Sequence, residues 1–211
     1  DVYATDINLN EHGFLHFTLH YNGEQALIKL PLMGLHNVHN ALAAAACCYA
    51  AGIDATTIKR GLEQFQGVKG RMTYLQGKNK ALVIDDTYNA NPDSMRAALE
   101  TLVGFGCRGR RVAVLGRMGE LGDTAATEHR ALGAAAYQAG VDELCVVGLG
   151  DAELISAGFL EAGGNPARQH AFASHAACAA HLRATAGATD IILVKGSRSA
   201  AMERVIEPPA A

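Results

Sequence analysis

The chain has 211 residues, 49% of them apolar and 18% charged, with a formal net charge of −3. That length fits one large domain or one domain plus part of another, and the mild acidity argues against a nucleic-acid binder held by bulk electrostatics, which would be basic. Five cysteines with no CxxC pair, no signal peptide and no apolar run near the ~20 residues needed to span a bilayer point to reduced thiols in a cytoplasmic protein that does not enter the membrane.

The chain opens at Asp1 in strand-like sequence, without an initiator methionine, as a fragment of a longer protein would. Leu15, Phe17, Leu19 and Tyr21 alternate along one face, Asn22-Gly23 is a strong hairpin signal, and residues 25–30 return before Pro31. A helix is expected over 37–51, aligning Val38, Leu42, Ala45 and Tyr49 and stopped by Gly52. Asp54 caps a second helix that aligns Ile58, Leu62 and Phe65, and the polar stretch 66–70 is the best domain boundary. From Arg71 the pattern is βαβα. Strands are expected near 72–76, 81–84, 111–115, 144–147 and 191–194, with a shorter one near 170–173. Helices are expected near 92–103, 124–139, 151–162, 174–186 and 199–205. Runs such as Val112-Ala113-Val114-Leu115 are apolar on both faces, as strands covered by helices on two sides should be. The fold class is α/β, a doubly wound and mostly parallel sheet preceded by a β-hairpin and helices. The only biased stretch is the terminal Pro208-Pro209-Ala210-Ala211.

Three polar clusters follow strands, where such a sheet holds ligands. In Asp85-Asp86-Thr87-Tyr88-Asn89-Ala90-Asn91-Pro92, carboxylates suit ribose hydroxyls and carboxamides suit carbonyl oxygens. The simpler reading is that the aspartates close the turn and Asn91 caps the next helix. Gly116-Arg117-Met118-Gly119-Glu120-Leu121-Gly122 lets backbone amides approach a ligand, but its GxxGxxG spacing is no dinucleotide fingerprint. A flexible loop capped by Asp123 or Thr124 is the alternative. Lys195-Gly196-Ser197-Arg198-Ser199 would converge on a helix start suited to an anion, or merely cap it in solvent. In the first part, Asn37 and Asn40 are one helical turn apart and can read the edge of a base, unless Asn37 is only an N-cap. His16 and His20 lie ~13 Å apart on an extended chain, too far for one metal. His129, His170, His175 and His181 lack ligand spacing, and Glu128-His129 reads as a solvated helix face.

Together, Gly34-Leu35-His36-Asn37-Val38-His39-Asn40, Gly70-Arg71, the Asp85–Pro92 segment, Leu115–Gly122 and Val194–Glu203 resemble the Mur ligases, in family order and over nearly the whole chain. These are the ATP-dependent amide-forming enzymes that build the peptidoglycan stem peptide. Tyr88-Asn89-Ala90-Asn91-Pro92 and Lys195-Gly196-Ser197-Arg198 point to the branch that adds D-alanyl-D-alanine. The resemblance implies that residues 1–70 end a central ATP-binding domain and 71–211 form a Rossmann-like C-terminal ligase domain. It implies ATP contacts by Asn37, Asn40, Arg71 and Asp86, with Tyr88, Asn89 and Asn91 near nucleotide or substrate. Lys195, Ser197 and Arg198 are implied on the substrate side. ATP with Mg2+ is the expected cofactor. UDP-N-acetylmuramoyl tripeptide and D-alanyl-D-alanine are the expected substrates of a monomeric protein with no nucleic-acid partner. The family's P-loop is missing from this chain, so the residues that cradle the phosphates and hold the metal are expected upstream, with no metal ligand here, and the fragment alone should be inactive. The glycine loop carries Arg117 where relatives have aspartate, so no role is transferred to it. Two other readings stay open, a non-catalytic Rossmann-like binding module and a folylpolyglutamate-synthetase-like ligase.

Overall fold

A computed structural model describes residues 1–10, 13–77 and 79–206, so the terminal Pro208–Ala211 stretch lies outside the described residues. The chain divides into two compact units, the first Asp1–Val68 and the second from Lys69 onward.

The first unit is a three-stranded antiparallel sheet in the order β1 (Val2–Leu9), β2 (Leu15–Tyr21), β3 (Glu24–Leu30), backed by α1 (His36–Ala50) and α2 (Ala55–Gln64). Alternation along β2 buries Leu15, Phe17, Leu19 and Tyr21, which pack with Ile28, Val38, Ala41, Ala45 and Ile58. Removing a side chain of that size from water is worth about 1.5–3 kcal/mol. Tyr21 pairs with Glu24 across the two-residue Asn22-Gly23 turn, where both φ angles are positive, the hairpin geometry this dipeptide favours. Gly52 (φ +80) lets the chain leave α1, and Asp54 accepts the Thr57 N–H at 3.0 Å to start α2.

The second unit is a six-stranded sheet ordered β4-β5-β9-β6-β7-β8. The strands are β4 (Thr73–Gln76), β5 (Leu82–Asp86), β6 (Arg111–Gly116), β7 (Glu143–Val147), β8 (Gln169–Phe172) and β9 (Ile191–Lys195). Only the edge strand β4 is antiparallel. The chain moves outward through β5, β6, β7 and β8, so α3 (Pro92–Gly104), α4 (Ala125–Ala139) and α5 (Glu153–Glu161) cover one face. It then returns to β9, and α6 (His175–Thr185) covers the other. Alternate strand residues serve the two cores: Ile84, Leu115 and Leu193 face α3–α5, while Val83, Val114 and Val194 face α6. The doubly wound architecture is therefore the one expected. The reversal of direction places β9 between β5 and β6, so their carboxyl ends form the switch point where such sheets hold ligands.

Local departures have physical causes. Asp85 and Asp86 belong to β5 rather than to the turn after it, because β5 pairs with β9 as far as Asp86↔Lys195. The short strand near residue 170 is real and pairs with β7. The helices expected from 124 and 151 begin instead with 3-10 turns at Gly122–Thr124 and Gly150–Ala152. The continuous helix expected over 199–205 does not form. A 3-10 turn at Arg198–Ala200 ends at Ala201 in the left-handed region (φ +48), and α7 is only Glu203–Ile206. That break drops fully buried Met202 beneath the ends of β6 and β9, where a Cβ on Gly116 or Gly196 would meet its side chain.

Candidate functional site

The two aspartates that end β5 have separate tasks. Asp85, 2% exposed, accepts from Thr87 through both the backbone N–H (3.2 Å) and the hydroxyl (2.7 Å), so it closes the turn. Asp86 stands in register with Lys195, whose ammonium lies 2.6 Å from Asp86 Oδ2 and donates to the Asn89 carbonyl at 2.9 Å. The other Asp86 oxygen accepts the Met72 N–H at 3.2 Å. Lys195 is only 2% exposed, and an ammonium that far from water needs a counter-ion. Burial, and next the Asp86 charge, push the neighbouring Tyr74 phenol up, which keeps it protonated. Each Asp86 oxygen has lone pairs left beyond these bonds, so the carboxylate can still accept from a sugar hydroxyl.

Arg71 joins the same corner. Its guanidinium sits 4.3 Å from the centre of the Tyr88 ring, and the Tyr88 N–H donates to the Gly70 carbonyl at 2.9 Å. Gly70 has φ +74, and a Cβ there would stand 3.1 Å from the Tyr88 nitrogen, so this close return of the chain requires glycine. Arg71, Asp86 and Tyr88, separated in sequence, thus share one loop cluster at the carboxyl end of β5. Arg71 and Tyr88 are both exposed. Asn89 accepts the Ala90 N–H at 2.9 Å. Asn91 accepts the Ser94 N–H at 2.8 Å while Ser94 Oγ accepts the Asn91 N–H at 3.0 Å, a reciprocal cap on α3. For Asp85 and Asn91 the simpler structural reading describes what their side chains do.

The third cluster is arranged differently from the expectation. Lys195 turns inward to Asp86, whereas Arg198 is exposed and pairs with Glu203 at 3.2 Å. Ser197 is buried and shares a hydrogen bond with Ser199 at 3.1 Å. Because α7 is short and displaced by the Ala201 break, the four side chains do not converge on a helix start.

In the first unit the exposed Asn40 donates to the Asn37 carboxamide oxygen at 3.1 Å, and Asn37 donates to the Met33 carbonyl at 2.7 Å. The two carboxamides form one oriented pair, and Asn37 lies inside α1 rather than capping it. Each keeps donor and acceptor capacity for a planar polar ligand.

Two features escaped the linear pattern. His129 lies on a buried face of α4, not a solvated one. It is fully buried, with Nε2 accepting the Met118 N–H at 2.8 Å and Nδ1 2.7 Å from the Ala125 carbonyl. At the amino ends of the strands, residues far apart in sequence close a polar knot. Arg110 binds Glu143 (2.6 Å) and Asp190 (2.6 Å), and His181 reaches Glu143 at 3.0 Å, beside His170. Donor atoms of Glu143, Cys145 and His181 lie within 4.8 Å of one another. Glu143 is already neutralised by Arg110 and flanked by Arg168 at 3.7 Å, so added positive charge meets two guanidiniums there. The Cys145 thiol is pushed up by its hydrogen bond with Cys178 and by burial. Only spacing in three dimensions could have shown either feature.

Residues 70–198 match the family described as Mur ligase, glutamate ligase domain, and residues 1–48 match the Mur ligase middle domain. The chain belongs to the Mur ligase family. Within that family it is 38% identical over 208 residues to the UDP-N-acetylmuramoyl-tripeptide–D-alanyl-D-alanine ligase of Escherichia coli (strain K12), covering 98% of this chain and 44% of that protein. A crystal structure of MurF from Acinetobacter baumannii superposes with TM-score 0.83 at 37% identity, covering 97% of this chain and 44% of that one. MurF ligase from Thermotoga maritima, crystallised in complex with ADP, shares the fold with TM-score 0.81 at 24% identity over 98% of this chain and 45% of its own. The chain thus spans less than half the length of these relatives. Among the described residues, no helix is long and apolar enough to cross a membrane.

Proposed function

We propose that this chain is the C-terminal portion of a ligase that joins D-alanyl-D-alanine to UDP-N-acetylmuramoyl tripeptide at the expense of ATP. The observation that carries the reading is the gathering of Arg71, Tyr88 and Asp86 on one loop cluster, in a chain similar along 98% of its length to a ligase of that name. In this reading ATP phosphorylates the tripeptide carboxylate, and the amine of D-alanyl-D-alanine displaces phosphate from the acyl phosphate. Side chains need do little covalent work. They hold two anionic substrates together, offset phosphate charge and exclude water.

The residues present fit parts of a nucleotide. The hydrogen-bonded Asn37 and Asn40 carboxamides offer donors and acceptors for adenine, Asp86 offers lone pairs to ribose, and Arg71 offers an exposed cation to phosphate. Tyr88 orients Arg71, and Asn89 lends its carbonyl to Lys195. Lys195 then acts on substrate by setting the Asp86 loop, while Ser197 and the exposed Arg198 face the peptide. The domains follow the same reading: residues 1–70 complete a central ATP-binding domain, and 71–211 form the ligase domain. Mg2+ would be held by residues outside this chain and would offset phosphate charge. The protein would work in the cytoplasm as a monomer.

The test is phosphate release by the full-length protein given ATP, UDP-N-acetylmuramoyl tripeptide and D-alanyl-D-alanine. Arg71→Ala should weaken nucleotide use by about 1–3 kcal/mol, the value of a charged hydrogen bond. It is a cleaner probe than Asp86→Ala, which also strands buried Lys195. Stimulation by glutamate but not by D-alanyl-D-alanine would overturn the assignment, and ligation by the 211-residue chain alone would refute the expectation that this portion is inactive by itself.

A further inference from the structure

The glycine loop after β6 is held in an unusual state by a residue that the reading above leaves unused. Glu120 adopts φ +61 without being glycine, and Gly122 follows at φ +52. Such backbone costs about 1–3 kcal/mol and persists only where its surroundings impose it. His129 holds the same loop two residues earlier, at Met118. Its Nδ1 faces the Ala125 carbonyl, which can only accept, so the proton is on Nδ1 and the Nε2 lone pair receives the Met118 N–H. Met118 is 1% exposed, with no solvent at hand to replace that acceptor.

The same loop is tied on its other side to β9. The Ser197 N–H donates to the Arg117 carbonyl at 2.9 Å, and the Cβ position of Gly119 lies 3.7 Å from Ser197 Oγ. His129, Met118, Arg117 and Ser197 therefore form one chain of hydrogen bonds and peptide links from the core face of α4 to the loop carrying Ser197 and Arg198. That chain enters the loop at Ser197, beside the exposed Arg198 and two residues after Lys195, the partner of Asp86.

We propose that His129 is a positioning residue: it latches the 116–122 loop against the 195–199 loop and so sets the binding geometry for the incoming amine substrate. This rests on the ligase reading. His129→Leu removes both ring hydrogen bonds, whereas His129→Gln keeps one acceptor and one donor on a side chain of similar reach. In the full-length protein, His129→Leu should raise KM for D-alanyl-D-alanine on the order of 10-fold, as loss of one buried hydrogen bond predicts. KM for ATP should stay within about 2-fold, and His129→Gln should recover most of the loss. Amide exchange at Met118 should accelerate on the order of 10-fold in the leucine variant and not in the glutamine variant.

A purely structural histidine would lower the melting temperature and the active fraction in both variants while leaving both KM values alone, which overturns the proposal. Unchanged Met118 exchange in His129→Leu overturns it as well. If the wild-type protein uses glutamate instead of D-alanyl-D-alanine, the ligase assignment fails and the latch is judged by the same KM split on glutamate. If it uses no amine, assignment and substrate role fall together, and the exchange rates decide whether a latch exists at all.

Discussion

The two ends of the six-stranded sheet are both ionic, yet they are built to opposite purposes. At the amino ends, Arg110 spends its donors on the protein: Glu143 and Asp190, 3% and 6% exposed, take its guanidinium, and the Thr185 carbonyl takes a further N–H at 2.6 Å. Burial pushes Asp190 up, but the Arg110 hydrogen bonds outweigh it and hold the carboxyl below its usual range. At the carboxyl ends, Lys195 and Asp86 also pair, with side chains 3% and 14% exposed, but each Asp86 oxygen keeps lone-pair capacity beyond its bonds within the protein. Left-handed backbone marks the loops at that end, at Gly70 before β4 and at Glu120 and Gly122 after β6. One end pairs its ions with one another; the other keeps a carboxylate with spare acceptor capacity beside loops. A sheet held firmly at its amino ends can tolerate loops shaped for ligands at its carboxyl ends.

The contrast is broken most directly by Glu143→Ala. It should cost about 3–5 kcal/mol, because Arg110 loses a buried partner, and should leave KM values unchanged in the protein that still folds. Thermal unfolding checks this, and an unaltered melting temperature would mean that the knot does not secure the sheet. Lys195→Met should cost less in stability, about 1.5–3 kcal/mol, since Asp86 can regain water, but it should impair nucleotide use. Equal effects from the two substitutions would erase the distinction between the ends. Asn91→Ala removes the cap on α3 and should cost about 1 kcal/mol, read from the denaturant midpoint.

Acid should sharpen the comparison with the smallest effect. Burial, and then the electrostatic influence of neighbouring His181, hold His170 below the ordinary imidazole value. The unfolded chain therefore takes up that proton first, so stability is complete above pH ~6.5 and declines as pH falls below it. Asp190 is depressed instead, so its contribution is present above pH ~3.9 and is lost as pH falls through its lower folded value. Urea midpoints between pH 7 and pH 3 should decline in two stages. His170→Gln should diminish the first stage and Asp190→Asn the second, to which Asp54 and Glu63, also depressed, contribute as well.

Local chemistry was readable along the chain because its causes are local. Period-two burial marked β2, Asn22-Gly23 marked the hairpin, Asp54 marked a helix start, and apolar runs marked strands covered on both faces. The motifs that carry the Mur ligase resemblance were likewise legible as short words, since a loop that meets a ligand closely leaves little freedom of residue type. Tertiary structure alone decided which partner each polar group took. Lys195 met Asp86 across parallel strands 109 positions distant in numbering, Arg110 met Asp190 across another such pair, and His129 turned inward because Met118 offered its N–H. The reason is physical: a carboxylate or an imidazole shows the same donors and acceptors wherever it stands in the chain, and only the packed sheet determines which of its possible partners comes within 3 Å.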